Sequence, residues 1–247
     1  MSKPQSRTLD LDALGRQLKM SESGQARTKE TRNRIIEVAE GLFAHRSYTA
    51  VSMREITAEA GVGLSAINYH FGTKEAMFKA VFLRRARELN RERAKLMEGA
   101  EQRANGGVVP LRELLFALLR PGIRWSFDSG GRSLFVQFLM RCQMDQSSPL
   151  HEIFYNDFEH LRRFIPNFMR VLPELTEQDI LWRLHFTLGA LHYTIADLKR
   201  LDKMSDGTCD ITQFEDTLER IVTYAEAGFR SPAPLPFDPS DRRGRTD

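Results

Sequence analysis

The chain has 247 residues, 41% of them hydrophobic and 28% charged, with a net charge of +3; this is ordinary for a globular protein and enough for two modest domains. No apolar run approaches the roughly 20 residues that span a bilayer, the N-terminus lacks the basic-then-apolar order of a secretory signal, and the two cysteines, Cys142 and Cys209, stand in no metal-ligand spacing. These features predict a cytoplasmic protein with free thiols. The charge is uneven: residues 26–94 hold 13 Lys and Arg against 8 Asp and Glu, a surplus suited to phosphate contact that weakens with salt.

Residues 1–25 are polar and mixed in charge, which predicts a flexible arm, with Arg16, Lys19 and Arg27 able to reach a minor groove if the chain binds DNA. From Thr28 to Arg46 an amphipathic helix is predicted, its stripe formed by Ile35, Ile36, Ala39, Leu42 and Phe43. It opens a domain over residues 26–72.

A pair of short helices follows. Ser52 stands three residues before Glu55, the spacing of a capping box, and Met53, Ile56 and Ala60 share one face. Gly61 can take the left-handed turn that stops this helix. Leu64 to Phe71 then supplies a second helix in which Ala66, Ile67 and Phe71 face inward while Ser65, Asn68, Tyr69 and His70 point out. Two helices joined this way form a helix-turn-helix, whose second helix lies in the major groove of DNA. An ordinary helical hairpin with a solvated polar face is the alternative. Next, Thr73 can cap a further helix with Glu75 in its first turn, and Lys74 beside that helix mouth makes a natural phosphate site.

From Thr28 to Arg85 the chain resembles the TetR-type one-component transcriptional regulators. The blocks that carry the likeness are LFAHRSY, TAVSMREITAEAGV, the YHF ending the second short helix, and GTKEAMF. The resemblance implies that Thr49, Ser52, Tyr69, His70 and Lys74 lie near phosphates, and that Gly63, Leu64, Ser65 and Asn68 lie toward bases.

Residues 73–230 are predicted to form an all-α second domain. One charged helix runs from Thr73 to about Ala100, and others are expected at 111–127, 132–146, 149–171, 177–204 and 211–229, punctuated by Pro121-Gly122, Gly130-Gly131, Pro149, Pro173 and Gly207. Residues 231–247, rich in Pro, Arg and Asp, predict a disordered tail. The fold class is therefore all-α, a helix-turn-helix domain followed by a helical ligand-binding and dimerisation domain.

Ile180 to Leu201 carries two apolar stripes, one through Leu181, Leu184, Leu188, Leu191, Ile195, Leu198 and Leu201 and another through Trp182, Phe186, Gly189, Tyr193 and Ala196. The last helix is amphipathic through Leu218, Ile221, Val222, Ala225 and Phe229. We expect Leu188, Leu191, Ile195, Leu218, Ile221, Val222 and Ala225 at a two-fold dimer interface, the alternative being that both stripes are consumed within one subunit. A dimer would read a palindrome with half-sites about 34 Å apart, or a multiple.

The second domain is also rich in Phe, Trp and Met, the side chains of an adaptable pocket. Phe135, Phe138, Trp182, Phe186 and Tyr193 are the predicted walls, and Arg141, Arg183 and His185 the predicted anchors; Phe154, Tyr155 and Phe158 belong to the same aromatic set. His185 and His192 stand about 10 Å apart along one helix, too far for a shared metal ion. No phosphate loop, nucleophile elbow or paired catalytic carboxylate is present, so neither catalytic nor metal site is expected, nor any cofactor.

The block LWRLHFTLGALHYTIADLKRL resembles the PsrA-like branch of these regulators, which implies a fatty acid or acyl derivative as effector. The expected partners are thus an operator duplex, a second copy of the chain and a small apolar ligand. A drug- or metabolite-responsive regulator, an architectural DNA-binding protein without effector, and a helical enzyme or lipid carrier are the competing readings.

Overall fold

The computed structural model describes residues 11–129, 131–145, 148–150 and 159–232, and every regular element among them is helical. The predicted tail beyond Pro232 and the aromatics Phe154, Tyr155 and Phe158 lie outside these residues. In chain order the helices are α1 (Leu11–His45), α2 (Met53–Ala60), α3 (Leu64–Phe71), α4 (Lys74–Ala104), α5 (Leu111–Ser126), α6 (Arg132–Met144), α7 (Glu159–Arg162), α8 (Ile165–Val171), α9 (Glu177–Ala196), α10 (Leu198–Met204) and α11 (Phe214–Arg230).

The first helix begins far earlier than the sequence pattern suggests. Much of the expected flexible arm, from Leu11 onward, is continuous with α1. Composition pointed to an arm because the segment is polar, but Ala13, Leu14, Arg16, Gln17, Leu18, Lys19 and Met20 are strong helix formers and no proline interrupts them.

Two cores hold the molecule together. The N-terminal core joins Ile35, Ile36, Ala39 and Phe43 of α1 to Ile56, Ile67, Met77, Phe78, Val81 and Phe82, and is closed by Phe135, Val136, Phe138 and Cys142 of α6. Phe138 packs edge-on against Phe78 with centroids 5.1 Å apart, and Phe135 lies 5.9 Å from Trp125. Burial of such a ring contributes roughly 1.5–3 kcal/mol. A helix some sixty residues downstream in sequence is therefore part of the N-terminal domain's interior. The C-terminal core gathers Met97 and Ala100 of α4, most of the apolar face of α5, Phe168 of α8, Ile180, Leu184 and Leu191 of α9, and Leu218, Ile221, Val222, Ala225 and Phe229 of α11. Helix α4 enters both cores, so the boundary expected at residue 73 is a shared beam.

Local chemistry explains where helices break. Pro121 sits inside α5, which continues through it. The proline lacks an N–H and crowds the carbonyls one turn back, and at that turn Arg93 of α4 donates from Nε to the Leu118 carbonyl at 3.0 Å. The helix expected over 149–171 instead shows a turn at Arg163-Phe164 between α7 and α8, with Pro166 in the first turn of the latter. The helix expected over 177–204 breaks at Asp197, whose φ of −160° leaves the helical region; aspartate favours such boundaries because its carboxylate competes for backbone donors.

Candidate nucleic-acid interface

Helix α2 starts as its sequence requires. Ser52 Oγ accepts from the Glu55 amide at 3.2 Å while the Glu55 carboxylate accepts from the Ser52 amide, a complete capping box. Gly61 ends the helix at φ 63°, a left-handed value that costs a side-chain-bearing residue strain. Arg46, at the end of α1, pairs with Glu55 and donates to the Ala50 carbonyl, fixing the loop that carries Thr49.

Helix α3 buries Ile67 completely and half-buries Ala66 and Phe71. Leu64, Ser65, Asn68 and Tyr69 stand exposed together, Tyr69 at 79%. Gly63 caps this helix without a side chain, leaving the approach to its N-terminus open. His70 is half-buried, its ring 5.1 Å from Tyr69. Thr49 and Ser52 are exposed near the start of α2, and Thr73, also exposed, caps α4 by accepting from the Ala76 amide at 3.1 Å. The N-termini of α2 and α4 precede and follow α3 in the chain with exposed capping residues, and helix N-termini favour phosphate.

Lys74 is more constrained than the sequence suggests. Its ammonium donates to the Tyr48 carbonyl and lies 4.3 Å from the centroid of the Tyr48 ring. Partial burial lowers its pKa. The lysine ties α4 to the α1–α2 loop, which fixes the place of its ammonium.

Two family models decide what this arrangement belongs to. Residues 35–81 match the bacterial regulatory proteins of the tetR family, and residues 116–228 match the tetracyclin repressor-like C-terminal domain. The chain belongs to the TetR family. No curated protein sequence matches it. Similar solved structures agree on the fold of this TetR-family chain. NalD of Pseudomonas aeruginosa, described as the secondary repressor of the MexAB-OprM multidrug efflux pump, is 17% identical over 82% of this chain and 97% of its own, with a TM-score of 0.56. A TetR-like regulator from Rhodococcus sp. RHA1 is 18% identical over 80% and 96%, with a TM-score of 0.56. PfmR from Thermus thermophilus is 21% identical over 81% and 100%, with a TM-score of 0.51.

Of the residues assigned from sequence to the pocket, Trp182, Arg183 and Phe186 line one groove, and the others lie apart from it. Phe135 and Phe138 are buried in the N-terminal core. Trp182, His185, Phe186 and Tyr193 lie on the outer face of α9, with Trp182 55%, Phe186 63% and Tyr193 65% exposed. Arg183 is buried but spends its guanidinium on the Phe229 and Pro232 carbonyls, at the end of α11. Arg141 is exposed and donates to the Ala44 carbonyl at 3.3 Å, near the end of α1.

The expected dimer residues are displaced in the opposite sense. Leu191, Leu218, Ile221, Val222 and Ala225 are buried inside the subunit, and Leu188 and Ile195 pack half-buried against its cores. The error has a physical source: a helix with two apolar stripes has two packing partners, and spacing does not tell which stripe faces its own subunit. Leu184 and Leu191 face in with Leu188 and Ile195 beside them, Leu181 and Leu201 stand exposed, and the aromatic stripe faces out. Trp182 and Phe186, with Tyr224 of α11, 71% exposed, border a groove of 710 Å³.

Sequence reasoning missed the charged residues inside α4. Arg85 pairs with Glu40 of α1 and with Glu88, and Arg132 of α6 pairs with Glu88 and Glu92. Trp125 donates its indole N–H to Glu92 at 3.2 Å, beneath the Arg132 guanidinium. This ladder joins α1, α4, α5 and α6. In the run RRARELNRERAK nothing distinguishes a buried arginine from a solvated one. Among the described residues no helix is long and apolar enough to cross a membrane, and no group of His, Cys, Asp or Glu is placed to hold a metal ion.

Proposed function

We propose that the protein is a homodimeric, ligand-responsive transcriptional repressor of the cytoplasm, released from a palindromic operator by a small apolar effector with an acidic or acyl head. The observation that carries the reading is the exposed row Leu64, Ser65, Asn68 and Tyr69 on α3, in a chain whose α2 and α4 begin at exposed capping residues. In this reading Ser65 and Asn68 meet base edges, Leu64 a thymine methyl or sugar, and Tyr69, His70, Thr49, Ser52, Thr73 and Lys74 the phosphates on either side. Gly63 lets the backbone approach closely.

Dimerisation runs through the exposed aromatic face of α9 and α11. An apolar surface with four large aromatic rings outward favours self-association, and a two-fold pair of α3 helices multiplies specificity. The effector acts on the spacing of the two recognition helices. Helix α4 spans both cores, and α6 packs on α1 while bonding to α4, so an effector that favours one α4 position changes the fit to operator.

The test is selection of bound fragments from genomic DNA by the full-length protein at fixed salt, followed by anisotropy titration on the enriched duplex and on random duplex. Enrichment of a palindrome, bound at least 10³-fold tighter than random DNA, supports the reading. Equal affinity for both would replace it with an architectural DNA-binding protein.

A further inference from the structure

The buried charges of α4 divide into two kinds. Arg85 has its counter-ions: both Glu40 oxygens accept from its Nε, at 2.8 and 3.1 Å, and Glu88 accepts from Nη1 at 3.2 Å. Two turns later Arg93, 7% exposed, has neutral acceptors only, the Leu118 carbonyl at 3.0 Å from Nε and Asn90 Oδ1 at 3.2 Å from Nη1. No carboxylate among the described residues pairs with it. A buried guanidinium without a counter-ion is costly, because solvation is lost and no opposite charge replaces it.

Two further observations point the same way. Burial lowers the Arg93 pKa to about 10, so the group is still a cation at neutral pH. Burial, and then the charge of Arg93, push His192 of α9 down to about 4, which keeps that neighbour neutral. Arg93 also borders a cavity of 210 Å³ between α4 and the α7–α8 turn, with Met97 and Phe164 as buried apolar walls. Arg163, His160, Glu98 and Glu101 complete the lining, and Glu101 is engaged by the Asn167 amide at 2.9 Å.

We propose that this cavity takes the head of a short- to medium-chain organic acid, the carboxylate anchored by Arg93 and the apolar part lying along Met97 and Phe164. The proposal rests on the reading of the chain as ligand-responsive and names the head-group site of that effector. The volume decides the size class. It is below the roughly 300–1,000 Å³ of a drug-sized pocket and holds about seven groups of water's size, close to a six-carbon acid; a longer chain has to leave through the mouth. The carboxylate supplies the missing counter-ion to a side chain of α4 that also holds the Leu118 carbonyl of α5, so occupancy bears directly on the position of α4.

The test is calorimetric titration of hexanoate and hexanamide into the full-length protein without DNA, with Arg93→Met, Arg93→Lys and Ala94→Leu beside the wild type. Ala94→Leu fills the cavity and leaves the guanidinium in place. We expect hexanoate to bind the wild type at least ten-fold tighter than hexanamide, Arg93→Met to lose at least ten-fold, Arg93→Lys to fall between, and Ala94→Leu to lose binding as well. Equal binding of acid and amide, no binding of hexanoate, or wild-type affinity in Ala94→Leu or in a folded Arg93→Met would overturn the proposal. Should Arg93→Met not fold, Arg93→Lys and Ala94→Leu decide. A protein that binds operator but not hexanoate loses only this site; one that binds hexanoate but no operator keeps the site and loses the regulator reading.

Discussion

Arg85 of α4 holds the carboxylate of Glu40 of α1 with Nε 2.8 and 3.1 Å from its two oxygens, and Glu40 is only 3% exposed. Burial raises the Glu40 pKa against the lowering effect of Arg85, so desolvation outweighs the attraction at that carboxyl. The pair's role is registration of α1 on α4 more than stability.

Glu40→Gln is therefore expected to destabilise the fold by about 3 kcal/mol, the low end for breaking a buried pair, since Arg85 keeps Glu88. The double substitution Glu40→Leu, Arg85→Met is expected to recover most of that loss. Denaturant unfolding of the wild type and the two variants checks it; a double variant no more stable than Glu40→Gln would mean that the pair stabilises in its own right.

On DNA, Asn68→Ala is expected to lose roughly 1–3 kcal/mol of discrimination at one base position in each half-site. Lys74→Ala is expected to weaken operator and random duplex alike and to lower the salt slope by about 1. Because the lysine also holds the Tyr48 carbonyl, its loss will loosen the loop that carries Thr49. Anisotropy at several salt concentrations separates the two roles; a base-specific loss for Lys74→Ala would contradict them.

For association, Trp182→Glu with Phe186→Glu is expected to give folded monomers with weak operator affinity, since both rings are exposed in one subunit. Leu218→Glu and Val222→Glu are expected to unfold the C-terminal domain instead, because a charge would enter its core. Light scattering with thermal melts tells these outcomes apart, and a wild-type monomer at micromolar concentration would refute the dimer.

The His192 imidazole, held at about 4 when folded, refuses a proton that the unfolded chain accepts near 6.5. Stability is thus expected to rise between about pH 4 and 6.5 and to show no His192 contribution above that, the change reaching at most about 3 kcal/mol. Asp179, held below the usual carboxylate range by hydrogen bonds from Thr176, titrates beneath this window. His192→Gln is expected to flatten the slope in unfolding experiments across pH; an unchanged slope would place the titration elsewhere.

What was legible in the sequence was local. The Ser52–Glu55 capping box, the Gly61 turn and the Thr73 cap are each set by residues within a turn of one another, and each is present in the fold. The inward and outward faces of α3 followed from eight residues with Ile67 as the buried mark. What was not legible was tertiary. Nothing in the alternation of α6 says that Phe135 and Phe138 close the first domain's core, and nothing in the doubly apolar α9 says that Leu191 faces inward and Tyr193 outward. The buried Arg93 and Arg85 lie in a charged run that has the composition of a solvated face.

The central claim, that α3 reads bases in a two-fold pair, is tested most directly by selecting bound sequences from a randomised duplex pool with the wild type and with Asn68→Ala. The account predicts a palindrome whose half-site centres lie about one helical turn apart or a multiple, with specificity relaxed by Asn68→Ala at one symmetric pair of positions and kept elsewhere. A pool that shows no enriched sequence, or a palindrome that Asn68→Ala leaves unchanged at every position, would contradict it.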